Sequence, residues 1–485
     1  MSGERVDLVV IGGGSAGLVA SHGAGGLGAE VVMVEPNHPG GDCLWHGCVP
    51  SKRLLTAAKA AHTMRTANKH GIAAVEPDID FMAVMQGVKD AQAHIAPHDS
   101  VERLEESGVR VIPAYGKFTG KNTIVAGDEV LHFRKAMVAV GAKPAIPPIT
   151  GLREANPLTS DDVWDLTEAP KRLAVIGAGA IGAELGQAFS RLGSTVTLFE
   201  YAPRIMPFLG DNVGELIAER FRAEGIDVRD GTGVQEVKTN ADGTYTLLAA
   251  KAGTEDTEEF VVDAILTATG RTPNTKDLGL EEAGVEVDER GLVVVNERLQ
   301  TTNPHIYAGG DVVGKKPFTH TAGAHGSTVV GNALFKLRRT VNHDQIPFAI
   351  FSDPEVASVG QIEAKDGEDD FEVHHIDHHE VDRAITSGDP VGFTELFTVG
   401  GKLVGATVVG ETAGETINEL TLRVTTGAKL RDVGQMIRPY PTHAESSAKA
   451  ANEKLRMQFF SPRVRKVTMP ILEFLDRVDN PGGAG

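Results

Sequence analysis

The sequence predicts an α/β protein with two parallel, nucleotide-binding sheets and a further domain of mixed type. Two apolar, β-branched runs, 6–11 and 171–176, are each followed by a Gly-x-Gly-x-x-Gly turn and an alanine-rich stretch. Strand, glycine turn and helix in this order are typical of a βαβ unit. After residue 346 the pattern changes to alternating strands, and 485 residues exceed a single hydrophobic core. These later strands are predicted at 348–351, 393–399 and 403–409.

The first glycine turn places Gly12, Gly14 and Gly17 at the three fingerprint positions. Glycine there allows a tight turn, a close approach of the backbone, and a pyrophosphate at the amino terminus of a helix. About twenty residues later a second apolar strand, 30–34, ends at Glu35, where a carboxylate can bind ribose hydroxyls. The segment therefore predicts a bound dinucleotide.

A second fingerprint repeats the pattern 165 residues later, with Gly177, Gly179 and Gly182. The strand that follows is predicted at 195–199 and ends at Glu200, so the chain is expected to bind two dinucleotides. A carboxylate at Glu200 favours an unphosphorylated ribose and repels a 2′-phosphate, which predicts NADH as the second nucleotide. The nearby Arg204 leaves NADPH open.

Both cysteines of the chain, Cys43 and Cys48, lie in one stretch shortly after the first fingerprint. Residues 40–52 read Gly-Gly-Asp-Cys-Leu-Trp-His-Gly-Cys-Val-Pro-Ser-Lys. On a regular helix, Cα atoms five residues apart are roughly 8 to 9 Å from each other, beyond the disulfide limit of about 7 Å. A bridge would therefore need an irregular turn, which Gly47 and Pro50 favour. Two buried thiols or a Cys-x-x-His-x-Cys metal site are the alternatives.

Charge and composition exclude several classes of partner. Lysine and arginine number 47 against 66 acidic residues, and the net charge of −19 disfavours nucleic acids and anionic membranes as partners. Two cysteines leave no structural disulfide framework, which fits a reducing cytoplasmic location. The amino terminus lacks the pattern of a signal peptide. The sequence contains no stretch of 18 apolar residues, so no transmembrane segment is expected.

The cysteine stretch at 40–52 resembles the redox-active motif of class I flavin-dependent pyridine nucleotide-disulfide oxidoreductases, which include dihydrolipoamide dehydrogenase, glutathione reductase and mercuric reductase. The resemblance implies that Cys48 lies against the flavin as the charge-transfer thiolate, while Cys43 exchanges with the substrate. It also implies that Lys52 lies beside the flavin, paired with Glu184.

Further segments are similar to the same family in the same order. Residues 136–144, with Gly141, match the end of the first flavin segment, and residues 266–274, with Gly270, match the return from the nicotinamide domain. Residues 302–311 match the second flavin motif, whose aspartate is here Asp311. The cofactor-binding residues implied for FAD and NADH are Gly12, Gly14, Gly17, Glu35, Lys52, Gly141, Asp311, Gly177, Gly179, Gly182, Glu200 and Gly270.

The resemblance implies two Rossmann-like dinucleotide-binding domains, each a three-layer ββα structure, plus an α+β carboxy-terminal dimerisation domain. Residues 354–360 match the opening of that last domain. It further implies a homodimer whose active site is shared across the interface. The expected domains are a first FAD-binding segment at 1–150, an NAD(P)-binding domain at 151–270, a second FAD-binding or central segment at 271–342, and the dimerisation domain at 343–485.

The sequence departs from the family near its end. Most disulfide-reducing members carry His-Pro-Thr-x-x-Glu there, whereas this chain has Tyr440 in place of the histidine and keeps Glu445. A phenol with an ordinary pKa of about 10 is a poor proton shuttle at neutral pH. His443, three residues on, remains a possible substitute. Thr442 and Glu445 also form the T-x-x-E pattern of a helix capping box.

Tyrosine at this position resembles the mercuric reductase branch, but that branch uses a carboxy-terminal cysteine pair that this chain lacks. Two other features leave alternatives open. A histidine cluster at 374–379 is interpreted as a solvated polar strand edge rather than a metal site. A basic and apolar helical pattern at 462–478 predicts packing on the chain's own dimer, with a partner or lipid surface as the alternatives.

The predicted function is electron transfer from NAD(P)H through FAD to a Cys43–Cys48 disulfide, and on to a small disulfide, metal-ion or quinone acceptor. The alternatives are a dihydrolipoyl dehydrogenase, a mercuric reductase core without the cysteine pair, and a flavoprotein subunit or redox sensor docked by its tail. No metal ligands are expected. The predicted catalytic residues are Cys43, Cys48, Lys52, Glu184, Tyr440 and Glu445.

Overall fold

The computed structural model describes residues 5–254 and 256–479. The chain divides into two compact units, Met1–Ile346 and Pro347–Gly485. The first part of unit one contains the elements β1 (Arg5–Ile11), α1 (Ser15–Gly26), β2 (Val31–Val34), α2 (Gly41–Trp45), α3 (Cys48–Thr66), α4 (Phe81–Ile95), α5 (Val101–Glu106), β3 (Val109–Ile112), β4 (Gly116–Gly120), β5 (Thr123–Ala126), β6 (Glu129–Val138) and β7 (Ala142–Pro144).

The rest of unit one holds a second set of alternating strands and helices. Its elements are β8 (Arg172–Ile176), α6 (Ala180–Arg191), β9 (Thr195–Phe199), α7 (Asp211–Ala223), β10 (Asp227–Arg229), β11 (Thr232–Thr239), β12 (Tyr245–Lys251), β13 (Thr257–Val262), β14 (Ala264–Thr267), β15 (Arg271–Pro273), β16 (Ile306–Ala308) and α8 (Thr319–Phe335).

The first sheet has the order β3–β2–β1–β6–β5–β4, and β16 pairs with the carboxyl end of β6. The strands β3, β2, β1, β6 and β16 run parallel, while β5 and β4 extend the sheet as antiparallel strands. Every residue of β2 is buried, as expected for a parallel strand covered on both faces. Helices α1 and α8 pack together against this sheet through residues such as Leu18, Val329 and Val330.

The second parallel sheet has the order β10–β9–β8–β14, and a three-stranded antiparallel sheet, β11–β12–β13, lies against it. One core joins the two sheets: Ile176 and Phe199 of the parallel sheet pack with Val234 and Leu247 of the antiparallel one. Helix α6 covers the other face, with nine of its residues buried. The predicted three-layer arrangement of two sheets and a helical layer is therefore confirmed.

Unit two is an α+β domain, as predicted. Its five-stranded antiparallel sheet has the order β17–β18–β21–β20–β19, and helices α10, α11 and α12 pack against it through residues such as Leu420, Val433 and Ala450. The elements are β17 (Phe348–Ile350), β18 (Glu355–Gly360), β19 (Phe371–Asp377), α9 (Asp382–Ser387), β20 (Phe393–Val399), β21 (Lys402–Gly410), α10 (Ala413–Thr425), α11 (Leu430–Gln435), α12 (Glu445–Phe459) and α13 (Pro462–Asp479).

Two histidines of the cluster at 374–379 lie on the edge strand β19 and two in the short turn that follows it, and the interpretation as a solvated edge is wrong for one of each. His374 and His378 are buried, and their Nε2 atoms lie 3.0 Å from the hydroxyls of Thr398 and Thr394 respectively. His375 instead contacts the carboxylate of Glu395 at 3.1 Å. His374 and His378 are buried because the core of unit two covers this side of the sheet. A threonine hydroxyl satisfies each imidazole there.

The carboxy-terminal pattern forms helix α13, and no residue of that helix is buried. Its role therefore stays a prediction. Within the described ranges, no helix combines the length and apolar character that a membrane crossing requires. The exposed apolar side chains of α13 are Val467, Met469, Ile471, Leu472, Phe474, Leu475 and Val478.

Candidate active site

The two cysteines lie on either side of a break between two helices. Helix α2 ends at Trp45, helix α3 begins at Cys48, and Gly47 between them has φ −114° and ψ −104°, outside the helical region. Pro50 stands in the first turn of α3, where its missing N–H costs no helical hydrogen bond. The irregular turn that the spacing of Cys43 and Cys48 requires is therefore present.

Both cysteines are free thiols in the structure, and their acidities differ strongly. A hydrogen bond from Cys43 lowers the pKa of Cys48 to about 6, although burial opposes this shift. The same hydrogen bond, together with burial, raises the pKa of Cys43. The Thr319 hydroxyl, 3.2 Å from the Cys48 sulfur, also favours the thiolate. At neutral pH the pair therefore consists of a Cys48 thiolate and a protonated Cys43 thiol.

A partly buried ion pair lies next to this thiolate. Lys52 Nζ, one turn after Cys48 on α3, donates to Glu184 Oε2 on α6 at 2.7 Å. Only 6% of the Glu184 surface is exposed, so this residue is not an ordinary surface acid. The positive charge of Lys52 lowers the pKa of Cys48, and the negative charge of Glu184 raises it. The pair therefore balances the charge around the thiolate while joining the two nucleotide-binding segments.

Neutralising Lys52 and neutralising Glu184 should have opposite effects on the pKa of Cys48. We expect Lys52→Gln to raise the pKa of Cys48 and Glu184→Gln to lower it, because each removes one nearby charge. The pH dependence of Cys48 alkylation by iodoacetamide measures both shifts. Lys59→Gln is the matched control, since Lys59 lies on the same helix and is exposed. Shifts of the same sign in both variants would contradict the assignment.

The two glycine fingerprints have nearly the same geometry. Gly12 has φ +105° and Gly177 has φ +100°, and a Cβ at either position would collide with a backbone carbonyl, of Ala139 and Ala268 respectively. At the third position, a Cβ on Gly17 would collide with the carbonyl oxygen of Gly12. Gly182 and Gly177 repeat this close contact. Only glycine fits these turns, which lead directly into α1 and α6.

The acidic residue after each fingerprint folds back onto its glycine turn. Glu35 accepts hydrogen bonds from the N–H groups of Gly13 at 2.6 Å and Asn37 at 2.9 Å. Glu200 accepts from Ala178 and Ala202, both at 2.9 Å. Each carboxylate is thereby fixed beside the amino terminus of the fingerprint helix. This is the position from which a carboxylate meets the ribose of a dinucleotide.

The second flavin motif predicted from the sequence forms a tight turn after β16. Asp311 begins this turn, and burial raises the pKa of its carboxyl while Arg271 opposes the shift. Arg271 Nε lies 3.4 Å from Asp311, and its Nη2 also contacts Asp42 and the carbonyl of Ala142. Sequence reasoning did not assign Arg271 or Thr319, although Arg271 lies inside the Thr-Gly-Arg-Thr-Pro-Asn stretch and Thr319 directly precedes His320.

Gly141 and Gly270 lie at opposite ends of one small ladder. Each directly precedes one strand of a two-stranded antiparallel ladder, β7 and β15, whose register pairs Ala142 with Pro273. Both glycines have positive φ, 64° and 122°, which fits the sharp change of direction there. The structure therefore places both predicted residues on this ladder, with Gly141 beside Asn274 at one end and Gly270 beside Ala145 at the other.

One group of side chains in the described part of the chain has a spacing that could hold a metal ion. Ligand atoms of Asp42, His46 and Asp161 all lie within 4.8 Å of one another. Asp42, however, is already paired with Arg271, and His46 Nδ1 lies 3.6 Å from the Asp42 carboxylate. An arginine in this position competes with a cation, so we assign no metal to the group.

The predicted carboxy-terminal site residues lie in unit two. Tyr440 is 71% exposed, and its hydroxyl donates to Asp382 Oδ2 at 2.8 Å. Lys449 Nζ contacts the carboxylates of Asp382 at 3.0 Å and Glu445 at 3.3 Å. Asp382 and Lys449 were not identified from the sequence. These four residues form one polar cluster at the start of α12.

The capping-box interpretation of Thr442 and Glu445 is wrong. Helix α12 begins at Glu445, and the Thr442 hydroxyl donates to the carbonyl of Pro439 at 3.0 Å instead of accepting from Glu445. His443 turns inward: only 11% of its side chain is exposed, and Nε2 lies 3.4 Å from Glu411. Burial lowers the pKa of His443, so its imidazole is neutral at pH 7.

Comparisons with known proteins agree with this geometry. Residues 6–326 match the family described as pyridine nucleotide-disulphide oxidoreductase, and residues 346–451 match the dimerisation domain of the same family. A dihydrolipoyl dehydrogenase of Thermus scotoductus is 37% identical over 461 residues, covering 92% of this chain and 97% of that protein. A mercuric reductase of Streptomyces lividans is 34% identical over 475 residues, covering 95% and 98%.

A solved structure shows the same fold. The Cu(II) complex of the HOCl-induced flavoprotein disulfide reductase RclA from Escherichia coli matches with a TM-score of 0.81 and 25% identity, over 93% of this chain and 99% of that one. The family match, the two relatives and the solved structure all indicate the same family. The chain belongs to the class I pyridine nucleotide-disulfide oxidoreductases, a family of enzymes that depend on FAD and a pyridine nucleotide.

Proposed function

We propose that this protein carries electrons from NADH by way of FAD to the Cys43–Cys48 pair, and on to a small disulfide, metal ion or quinone. The observation that carries the proposal is the unequal cysteine pair. A thiolate with a pKa of about 6 at Cys48 lies beside a protonated thiol at Cys43, and the Lys52–Glu184 ion pair adjoins them. Such a pair is suited to two-electron exchange.

The residues of unit one fit an FAD. The amino terminus of α1 carries no side-chain cap at Gly14, so its N–H groups are open to a pyrophosphate. Gly12 and Gly17 keep the turn narrow, Glu35 faces the position of the ribose, and Asp311 supplies a carboxylate for a hydroxylated chain. FAD, when bound, supplies a two-electron carrier between a nicotinamide and the cysteine pair.

The cysteines themselves perform the exchange with a disulfide acceptor. Cys43, once its proton has left, attacks one acceptor sulfur, forming a mixed disulfide and releasing the first acceptor thiol. The Cys48 thiolate then attacks the Cys43 sulfur, which closes the Cys43–Cys48 disulfide and releases the second thiol. Two electrons pass to the acceptor, and the released thiolates take up two protons, one of them from Cys43.

NADH is proposed as the donor because of the residues after β9. Glu200 is fixed beside the second fingerprint by the N–H groups of Ala178 and Ala202. Arg204, the cation that would favour a 2′-phosphate, is already paired with Asp211. A carboxylate at the ribose with a neutralised arginine nearby favours the unphosphorylated nucleotide.

The domain order is proposed from the resemblance of the sequence motifs, and the family matches at 6–326 and 346–451 support the start of the last domain near residue 343. FAD is assigned to residues 1–150 and 271–342, the nicotinamide to 151–270, and dimerisation to 343–485. The dimerisation match at 346–451 supports a homodimer, in which we propose that Tyr440 and Glu445 contribute to a shared active site. The exposed Tyr440 hydroxyl, held by Asp382, is suited to contact an acceptor rather than to shuttle protons.

Dihydrolipoyl dehydrogenase is the second candidate, favoured by the 37% identical relative. It requires an acid-base group, and His443 is the residue that would supply it. We expect His443→Gln to change turnover with any acceptor less than about twofold, because the imidazole is buried against Glu411 and neutral. Steady-state assays with dihydrolipoamide and a quinone measure this. A selective loss of dihydrolipoamide turnover by about 10²-fold or more would favour the second candidate.

Two further alternatives have distinct tests. A mercuric reductase core is supported by the 34% identical relative, and mercuric ion belongs in the acceptor screen. A docked subunit or redox sensor would use the exposed α13. If the protein is a docked subunit or sensor, deleting residues 462–485 should abolish docking while reductase turnover survives.

The experiment that tests the proposed function is an anaerobic titration of the purified protein with NADH. Two-electron reduction should produce a long-wavelength charge-transfer band from the Cys48 thiolate, and NADPH should produce it only at much higher concentration. Direct bleaching without this band would show that the cysteines are not in the electron path. Equal titration by both nucleotides would overturn the assignment of NADH.

A further inference from the structure

A pair of histidines lies behind the second flavin motif, outside the path proposed for the electrons. His325 on α8 is fully buried, and its Nε2 lies 2.8 Å from Nε2 of His343. The two rings meet edge to face, with centroids 5.0 Å apart and planes at 72°. His343 lies 18 residues further along the chain, in a short turn after α8.

The third hydrogen-bonding partner fixes where the protons are. The N–H of Gly310 donates to Nδ1 of His325 at 3.0 Å, so this nitrogen carries no proton. His325 is then protonated at Nε2, which donates to Nε2 of His343, and His343 carries its proton at Nδ1. The chain Gly310–His325–His343 is complete only while both imidazoles are neutral.

This chain ends at the backbone that orients Asp311. Gly310 has φ +80° and directly precedes Asp311. Gly309 packs on the same imidazole so closely that a Cβ there would lie 2.8 Å from Cβ of His325. His325 thus contacts residues 309 and 310, which directly precede Asp311, through both packing and a hydrogen bond.

We propose that His325 and His343 are positioning residues for the flavin-binding turn at residues 309–311, and that acid releases the flavin by protonating this pair. The inference rests on the proposed function, in which Asp311 holds FAD. A second proton would turn Nδ1 of His325 from an acceptor into a donor facing the Gly310 N–H. The two donors repel, and the turn loses its support.

The charges around the pair set the direction of this effect. Burial, the neighbouring His343 and Lys315 lower the pKa of His325 to about 4. Burial and Lys315 also lower the pKa of His343, with Asp344 opposing them. A depressed pKa means that the neutral pair stabilises the turn fully above the ordinary value of about 6.5. This support is lost as the pH falls from there through about 4.

Other titratable groups near α8 do not share this geometry. The only titratable side chain of α1 is His22, which contacts Ser107, and β16 contributes Tyr307. Asp311 itself titrates, with a pKa raised by burial and opposed by Arg271. Variants of His325 leave Asp311 unchanged and therefore separate the two contributions.

The test measures free FAD by its fluorescence after the purified holoprotein is transferred to buffers across this pH range. The wild type should release flavin as the pH falls between about 6.5 and 4. His325→Asn keeps an acceptor for Gly310 but does not titrate, so it should retain more flavin than the wild type at the acid end. His325→Leu leaves a buried N–H unpaired and should release flavin about tenfold faster at neutral pH.

His343→Gln keeps an acceptor for His325 Nε2 but removes a charge that lowers the pKa of His325, so it should shift the release profile to higher pH without faster release at neutral pH. It also tests the pair if His325→Leu fails to fold. The inference is overturned if His325→Asn follows the wild-type profile, or if a folded His325→Leu holds flavin as well as the wild type. A wild-type protein that binds no FAD would instead overturn the proposed function.

Discussion

Replacing Cys48 by serine should abolish the long-wavelength band of the reduced protein and lower reductase turnover by roughly 10³-fold or more, the scale on which loss of a reacting nucleophile acts. A serine hydroxyl cannot form the thiolate that the hydrogen bond from Cys43 and the Thr319 hydroxyl stabilise. The band is measured by absorption after anaerobic addition of NADH. In the wild type it should appear above pH 6 and fade below, because the depressed pKa of Cys48 favours the thiolate above about 6.

Cys43→Ser is the matched control for this prediction. Serine still donates a hydrogen bond to Cys48 and no disulfide can form, so the band should be present in the oxidised protein before NADH is added, while turnover is lost because no second sulfur closes the disulfide. The two variants therefore share the loss of turnover and differ in the band. A band that survives in Cys48→Ser and disappears in Cys43→Ser would reverse the assigned roles.

Two alanine substitutions should separate the two nucleotide sites. Gly17→Ala should yield a protein purified without flavin, because its methyl group would collide with the carbonyl of Gly12. Gly182→Ala, which collides with Gly177, should keep its yellow colour but bind NADH up to about 10²-fold more weakly, since overpacking costs about 1–3 kcal/mol or more. Flavin content is measured by absorbance and NADH binding by rapid reduction at increasing concentrations.

Each variant has a control on its own helix. An alanine at Gly26 of α1 meets no atom within 4 Å, and one at Gly186 of α6 makes only ordinary contacts at 3.8 Å. Both should retain flavin and NADH binding, because alanine also favours the helix. Loss of flavin in Gly182→Ala, with Gly17→Ala unaffected, would show that the two fingerprints have been assigned to the wrong nucleotides.

The sequence predicted those features that depend on local pattern. The strand at 195–199 and the strand at 393–399 were located to the residue, and both fingerprints lead into helices as expected. Glycine turns and apolar runs act over a few residues, so they can be recognised from the chain alone. The break in the helix between Cys43 and Cys48 could be predicted for the same reason, because a disulfide between cysteines five residues apart requires an irregular turn.

Features that depend on distant partners were missed. The antiparallel strands β11 and β13 contain exposed charged residues such as Lys238, Glu258 and Glu259, which weaken an alternating pattern. His374 and His378 appeared to be solvated because their threonine partners lie on another strand. The His325–His343 pair is formed by two unremarkable histidines 18 residues apart, and only the turn after α8 brings them together. Such contacts carry no local signal.

The ion pair between Lys52 and Glu184 also connects movement with reactivity. Lys52 belongs to the helix of the reactive thiolate, and Glu184 belongs to the helix that opens the nicotinamide site. Coulomb energy falls as two charges separate, so a shift of α6 on nucleotide binding alters how far Glu184 offsets the charge of Lys52. An outward shift leaves the lysine less compensated and strengthens the thiolate. Any movement of α6 relative to α3 would in this way change the acidity of Cys48.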